Sequence, residues 1–363
     1  MVIRFIVFKA FEKEIMSVNA TLAIQAGCSP SLPQGDLEKS VLDLDCTIQL
    51  PTPLKLDYTV LEGDIKIKAR LLGPQDAPVL LALGGISANR HVCDVKADAQ
   101  PGWWRELAGP GQILDTRAYR LLSFDFFPGD ADLDGAPQNI TTADQAKIAR
   151  QVCDYFGIER LHAFIGSSYG GMIGLSFAAQ FPERLNHLIV ACAAHRPHPM
   201  GTAWRSIQRK IVRLGLEIEQ PERALSLARE LGMTTYRTSQ EFAHRFSALP
   251  KAGQTESGEH RFEVEDYLET RGRAFIGKMS PYRYLTLSKS IDLHHVNPAD
   301  IQVPVSLIGF RQDQIVPIDE IRFLHQHLPS PLNYFEFDSL YGHDAFLKES
   351  RFLGDVLKSI LTP

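Results

Sequence analysis

The sequence predicts an α/β fold, with a mostly parallel central sheet, helices on both of its faces and a helical cap inserted into the chain. Two observations carry this. Short apolar runs bounded by turn residues alternate with stretches of helical periodicity, the rhythm of β-α-β crossovers. That rhythm stops between about Arg196 and His295, where charged and apolar residues mix at helical spacing, and then resumes.

Residues 1–45 read as a weakly structured N-terminal extension. Its opening run, Met1-Val-Ile-Arg-Phe-Ile-Val-Phe-Lys9, is too short to span a bilayer and too charged for a signal-peptide core. Lys55–Val60 and Asp64–Leu71 alternate apolar and polar residues around Glu62-Gly63 and predict an antiparallel hairpin. Val79–Leu83 is apolar throughout and closes on Gly84-Gly85, as a strand buried on both faces would, and Arg120–Phe126 is the next such strand. A helix over Ala143–Phe156, a strand over Leu161–Ile165, a helix over Gly170–Phe181 and a strand over Leu185–Ala193 follow. Beyond the cap come a strand at Val303–Ile308, a helix at Ile318–His327, a strand at Tyr334–Phe337 and a helix at Asp344–Leu361. The chain therefore divides into 1–45 (extension), 46–195 (core, first part), 196–299 (helical cap) and 300–363 (core, second part).

The 363 residues suffice for one large domain with a sizeable core, and 44% hydrophobic with 22% charged residues is ordinary for a soluble enzyme. A formal net charge of −5 offers no global attraction for nucleic acid or anionic lipid, so an anionic substrate must meet local basic residues. The five cysteines are scattered, with no Cys-x-x-Cys pair, which argues against a disulfide framework or a zinc site and for a reducing compartment. Cys153 and Cys192 lie in apolar segments and read as small buried hydrophobes.

The chemistry concentrates in Gly166-Ser167-Ser168-Tyr169-Gly170, a G-x-S-x-G between a predicted strand and a predicted helix. That context is the nucleophile elbow of the α/β-hydrolase fold, in which a sharp turn lifts the serine hydroxyl above the sheet edge. Ser168 is then the nucleophile, and the Tyr169 N–H, at a helix N-terminus, is an oxyanion donor. A serine needs a base, and in this fold the partners follow in the order Ser, acid, His. Asp313 and His343 satisfy that order, each in a loop after a predicted strand. Taken singly, Asp313 reads equally as a helix cap ahead of Pro317 and His343 as a solvated residue before the last helix; the ordered trio is what points to catalysis. The second oxyanion donor should come from the loop Gly84-Gly85-Ile86-Ser87, at Ile86, where glycines permit close backbone approach.

Further stretches occur in order: Gly102-Trp-Trp, Gly109-Pro-Gly, Leu114-Asp-Thr, Ile207-Gln-Arg209, Leu227-Ala-Arg229, Tyr267-Leu268, Tyr284-Leu-Thr-Leu287, Ile291-Asp292 and Gly342-His-Asp-Ala-Phe-Leu347. With the elbow, they make roughly residues 55–360 resemble the homoserine O-acyltransferases of the α/β-hydrolase superfamily, the last motif being the most specific. The resemblance implies a ping-pong reaction with acyl-CoA as substrate and no cofactor; a cytoplasmic homodimer, with neither nucleic acid nor membrane as partner, is expected. It implies Arg229 for the carboxylate and Asp344 for the ammonium of an amino-acid acceptor, usually L-homoserine. Physical chemistry agrees, since a zwitterion needs one anchor of each sign. On the residues alone, Arg229 reads as a solvated helix residue and Asp344 as a helix-start charge.

Two departures point within that family to the branch that uses succinyl-CoA. Gly84-Gly-Ile-Ser87 stands where acetyl-transferring relatives have His-x-Leu-Thr, and Arg205 stands where they have Asn. A guanidinium over the acyl pocket suits an acyl group that ends in a carboxylate; the alternative is that Arg205 pairs with a cap carboxylate such as Glu217 or Glu219. Acetyl-CoA as donor, serine as acceptor, and carboxylic-ester hydrolysis by the same triad stay open on sequence grounds.

Overall fold

The computed structural model describes residues 41–361 apart from 130–131, 134–135 and 254–257. Eight strands form one sheet: β1 (Val41–Gln49), β2 (Lys66–Pro74), β3 (Val79–Leu83), β4 (Arg120–Phe124), β5 (Ala163–Ser167), β6 (Leu188–Ala191), β7 (Val305–Phe310) and β8 (Pro331–Phe337). The spatial order is β1-β2-β4-β3-β5-β6-β7-β8. β1, β2 and β4 pair antiparallel, and all pairs from β4 to β8 are parallel. β4 lies on one side of β3 and β5 on the other, so the order reverses at β3. A crevice opens there at the strand C-termini, the usual ligand position in such sheets.

Alternation along the central strands fills both faces. Leu81, Leu83, Phe164 and Val190 point into one apolar cluster, while Leu80, Ala82, Ile165 and Ile189 point into the other. The first cluster also takes α1 (Thr142–Tyr155) and α2 (Tyr169–Gln180). α1 begins on a capping box in which Thr141 and Asp144 satisfy each other's backbone N–H, the reason its start is sharp. On the opposite face lies α10 (Ser350–Leu361), with Leu353, Val356 and Leu357 in the core.

Between β6 and β7 the chain is helical: α3 (Pro199–Glu217), α4 (Pro221–Tyr236), α5 (Ser239–Arg245), α6 (Glu263–Arg273) and α7 (Pro281–Asp292). Both ends of this excursion meet, since the Val296 N–H donates to the His195 carbonyl at 2.9 Å. Then come α8 (Ile318–His327) and the short α9 (Ala345–Lys348). Among the described residues no helix is long and apolar enough to cross a membrane.

Three expectations are corrected. Residues 41–45, assigned to a weakly structured extension, belong to β1; the rest of that segment lies outside the described residues. The expected hairpin does not form, because β2 pairs with β1 from Gln49 opposite Lys66 to Val41 opposite Pro74. Lys55 and Val60 instead pair with each other in a minimal two-stranded ribbon, Leu54–Lys55 against Val60–Leu61. The last helix is also broken: α9 stops at Lys348, and the Glu349 carboxylate accepts from the Ser339 hydroxyl at 2.7 Å before α10 begins.

Candidate active site

The elbow explains its own glycines. Ser168 has φ 53° and ψ −118°, a left-handed conformation costly for a residue with a Cβ, at the junction of β5 and α2. The turn is tight enough that a Cβ on Gly166 would collide with the Gly170 carbonyl, and one on Gly170 with the Leu83 carbonyl. Backbone hydrogen bonds hold it: Ser168 N–H to the Ala191 carbonyl and Gly170 N–H to the Gly84 carbonyl, each 2.9 Å. The strain is thus borne by the sheet on both sides.

The Ser168 hydroxyl donates to His343 Nε2 at 2.8 Å, and His343 Nδ1–H donates to Asp313 Oδ2 at 2.7 Å. Asp313 is fixed in turn: its Oδ1 accepts the Ile315 and Val316 N–H groups at 2.8 and 2.9 Å. His343 and Asp313 are buried and Ser168 faces a cleft. Burial works against protonation of His343, but the Asp313 charge and hydrogen bond outweigh it, and Asp344 adds to them against Arg205. The imidazole is therefore held above the usual histidine value, poised to accept a proton and to keep it briefly.

Next to this trio lies Cys192. Its thiol, an Asp313 carboxylate oxygen and a His343 ring nitrogen fall within 4.8 Å of one another, the closest approach to a metal-ligand group among the described residues. Burial first, and the Asp313 charge second, push the thiol well above its usual range, so it stays protonated, while His343 and Asp313 are already engaged with each other. The donor set is a poor metal cage as it stands.

The Ile86 and Tyr169 N–H groups have no acceptor among the described residues, and both residues line the cleft with Ser168, His343 and Phe346. Gly84, expected to make room for a ligand, instead makes room for protein: a Cβ there would meet the Trp103 ring and Ala88. The paired tryptophans divide the work. Trp103 lines the cleft, and buried Trp104 donates its indole N–H to the Phe346 carbonyl at 2.9 Å, anchoring the segment after His343.

All three charged candidates reach this cleft. Arg229, on α4, lies over the rings of Tyr236 and Phe275, 5.4 and 4.9 Å from their centroids. Asp344 lines the cleft beside His343, with Oδ2 2.9 Å from Arg237 Nε, a contact of charges in which the N–H is not aimed at the oxygen. Arg205, on α3, does meet a cap carboxylate, but neither Glu217 nor Glu219: its Nε donates to Asp292 Oδ1 at 2.7 Å. Arg209 NH2 stands 2.6 Å from the other oxygen of Asp292. Two buried guanidiniums thus share one buried carboxylate, leaving a net positive charge beside the cleft. Sequence reasoning missed Asp292, Arg237 and Tyr236 as parts of this site. The first fell within a quoted motif, yet nothing local ties it to Arg205.

The chain is similar to known proteins over most of its length. A family model described as "alpha/beta hydrolase fold" matches residues 78–350. A homoserine O-succinyltransferase of Xanthomonas campestris pv. campestris is 40% identical over 301 residues, covering 83% of this chain and 79% of that protein. A homoserine O-acetyltransferase of Moorella thermoacetica is 30% identical over 319 residues, covering 78% and 85%. Among solved structures, a homoserine O-acetyltransferase from Bacillus anthracis superposes with a TM-score of 0.77 at 17% identity, over 89% of this chain and 98% of that one, a likeness of fold.

Proposed function

From the fact that this chain belongs to the homoserine O-acyltransferase family of α/β hydrolases, we propose that it transfers a succinyl group from succinyl-CoA to the side-chain hydroxyl of L-homoserine, as a step of methionine biosynthesis. Ser168 Oγ gives its proton to His343 Nε2 and attacks the thioester carbonyl. The oxyanion of the tetrahedral intermediate is met by the Ile86 and Tyr169 N–H groups. Collapse breaks the C–S bond, His343 returns the proton to the departing thiolate, and free CoA leaves a succinyl ester on Ser168. The acceptor hydroxyl then loses its proton to His343 and attacks that ester; the tetrahedral intermediate expels Ser168 Oγ, which takes the proton back. Asp313 orients the imidazole and stabilises its charged form throughout.

The observation that carries this reading is the distribution of charge in the cleft. Arg229 and Asp344 offer one anchor of each sign for an amino-acid zwitterion, which simple ester hydrolysis does not need. The surplus positive charge of Arg205 and Arg209 over Asp292 suits the terminal carboxylate of a succinyl group. One observation favours acetyl transfer as a second reading: Arg205 already has a carboxylate partner, so an uncharged acyl group would not leave it unpaired.

Thiol release from succinyl-CoA and acetyl-CoA, each with L-homoserine, with L-serine and with water alone, distinguishes the possibilities. The expected result is a kcat/KM at least tenfold higher for succinyl-CoA with homoserine than for the other pairs, with slow turnover in water. A preference for acetyl-CoA would reassign the donor, and equal rates with and without acceptor would make the protein a hydrolase.

A further inference from the structure

Asp344 cannot be understood without what stands behind it. Arg237, the C-terminal cap of α4, reaches Asp344 with Nε, and its NH1 lies 2.9 and 3.1 Å from the two oxygens of Glu241 on α5. Arg237 and Glu241 are both nearly sealed from water, their side chains 7% and 4% exposed. Glu241 also accepts from Arg245 at 3.0 Å, but Arg245 is 39% exposed and its charge is screened. This junction is tightly built. The Thr238 hydroxyl donates to the Leu340 carbonyl at 2.6 Å, and a Cβ on Gly342 (φ 56°) would meet the Tyr236 and Gln312 carbonyls and the Thr238 side chain.

The charges at this junction are then Asp344 and Glu241 against Arg237, two negative and one positive, with Arg237 and Glu241 buried and Asp344 half-buried at the cleft. With Asp344 alone, Arg237 would neutralise the carboxylate that faces the cleft. With Glu241 taking the NH1 side of the guanidinium, Asp344 keeps an uncompensated negative charge at the only place in the trio that lines the cleft. We infer that Glu241, acting through Arg237, is a specificity-determining residue that keeps the charge of Asp344 uncompensated towards the cleft and so selects acceptors that carry an ammonium group. This rests on the proposed acyl transfer to an amino-acid hydroxyl and assigns the device behind the ammonium end of that site. Arg237 and Glu241 touch no substrate; they are positioning residues, and the effect passes through Asp344.

The test compares L-homoserine with 4-hydroxybutanoate, the same hydroxy acid without its ammonium, using succinyl-CoA as donor. CoA released in the first turnover without acceptor is measured in parallel. In Glu241→Gln, Arg237 turns its full charge on Asp344. The KM for homoserine should rise about tenfold or more while that for 4-hydroxybutanoate stays within about twofold, so the preference for the amino acid collapses; the first-turnover release should be unchanged. In the double variant Arg237→Met/Glu241→Leu both buried charges are gone and Asp344 is again unneutralised, so the preference for homoserine should recover at least threefold relative to Glu241→Gln, which a merely structural role would not produce. Should Glu241→Gln fail to melt cooperatively, Glu241→Asp withdraws the carboxylate by one methylene and should shift the preference the same way by about threefold. Equal losses for both acceptors, loss of first-turnover release in a folded variant, or a double variant worse than Glu241→Gln would overturn the inference. Absence of CoA release from the unmodified protein both without acceptor and with homoserine would overturn the proposed acyl transfer instead.

Discussion

Among single residues, neighbouring charges set the basicity of His343. Asp313 holds the imidazole above its usual value against the opposing effect of burial. In Asp313→Asn, burial then dominates, the ring's pKa falls, and the acid limb of the pH–rate profile should move to lower pH while kcat drops by about 10⁴-fold. A profile of kcat/KM from pH 5 to 9 checks both; an acid limb that stayed or rose would contradict the assignment. Arg205 acts on His343 in the opposite sense, so Arg205→Asn should move the acid limb upward. The same substitution should lower kcat/KM for succinyl-CoA by tenfold to 150-fold, the equivalent of about 1.5–3 kcal/mol for a charged hydrogen bond, and leave acetyl-CoA unchanged or improved. Measured at fixed homoserine, equal losses for both donors would make Arg205 structural, an anchor for Asp292 only. The hydrogen-bonded trio Ser168, His343 and Asp313 was legible in the sequence because chain order and strand-end context constrain these residues together. The partners of the charged residues were not. Arg205 was matched to carboxylates on or next to its own helix, whereas Asp292 sits at the far end of α7, and Arg237 meets Asp344 from another part of the chain. Ion pairs across a fold leave no local period to read.

At the scale of elements, the tight β5–α2 elbow is the part that tolerates least. A Cβ at position 170 would strike the Leu83 carbonyl and side chain, neither of which can move without shifting β3. Gly170→Ala should cost about 1–3 kcal/mol of stability in urea denaturation, the usual range for overpacking. It should also cut first-turnover CoA release by more than the fraction unfolded explains, because Ser168 and the Tyr169 N–H move with the turn. Unchanged stability and release would mean that the turn is looser than drawn. Buried parallel strands and the helix Ile318–His327 were readable because continuous apolar runs and helical periodicity survive packing on both faces. β1 was missed although Cys46 and Ile48 alternate as buried positions. The alternating run nearest to β2 is Lys55–Val60, but β2 pairs with the segment further upstream, Val41–Gln49, so sequence proximity is a poor guide to pairing here. The end of β4 at Phe124 rather than Phe126 has a similar origin: Phe126 is buried, but it packs edge-on against Tyr169 at 4.9 Å and is no part of the ladder.

Across the whole molecule, the proposed mechanism draws reactivity from the sheet and recognition from the helical excursion. Ser168, Asp313, His343 and the Ile86 amide come from turns and loops at the strand C-termini, and the Tyr169 amide from the first residue of α2. Arg205, Arg229 and the residues holding Asp344 come from the helices between β6 and β7. That division was foreseeable from the interrupted rhythm of the chain. The charge layout of the cleft needed the fold, since it depends on which helix ends meet. The central claim is a covalent succinyl enzyme at Ser168, and intact-protein mass spectrometry after mixing with succinyl-CoA in the absence of acceptor tests it most directly. The expected result is a mass increase of one succinyl group per chain, located on the peptide containing Ser168, discharged on addition of L-homoserine and absent from Ser168→Ala. An unmodified chain that releases CoA only when donor and acceptor are present together would contradict it, since transfer would then be direct within a ternary complex.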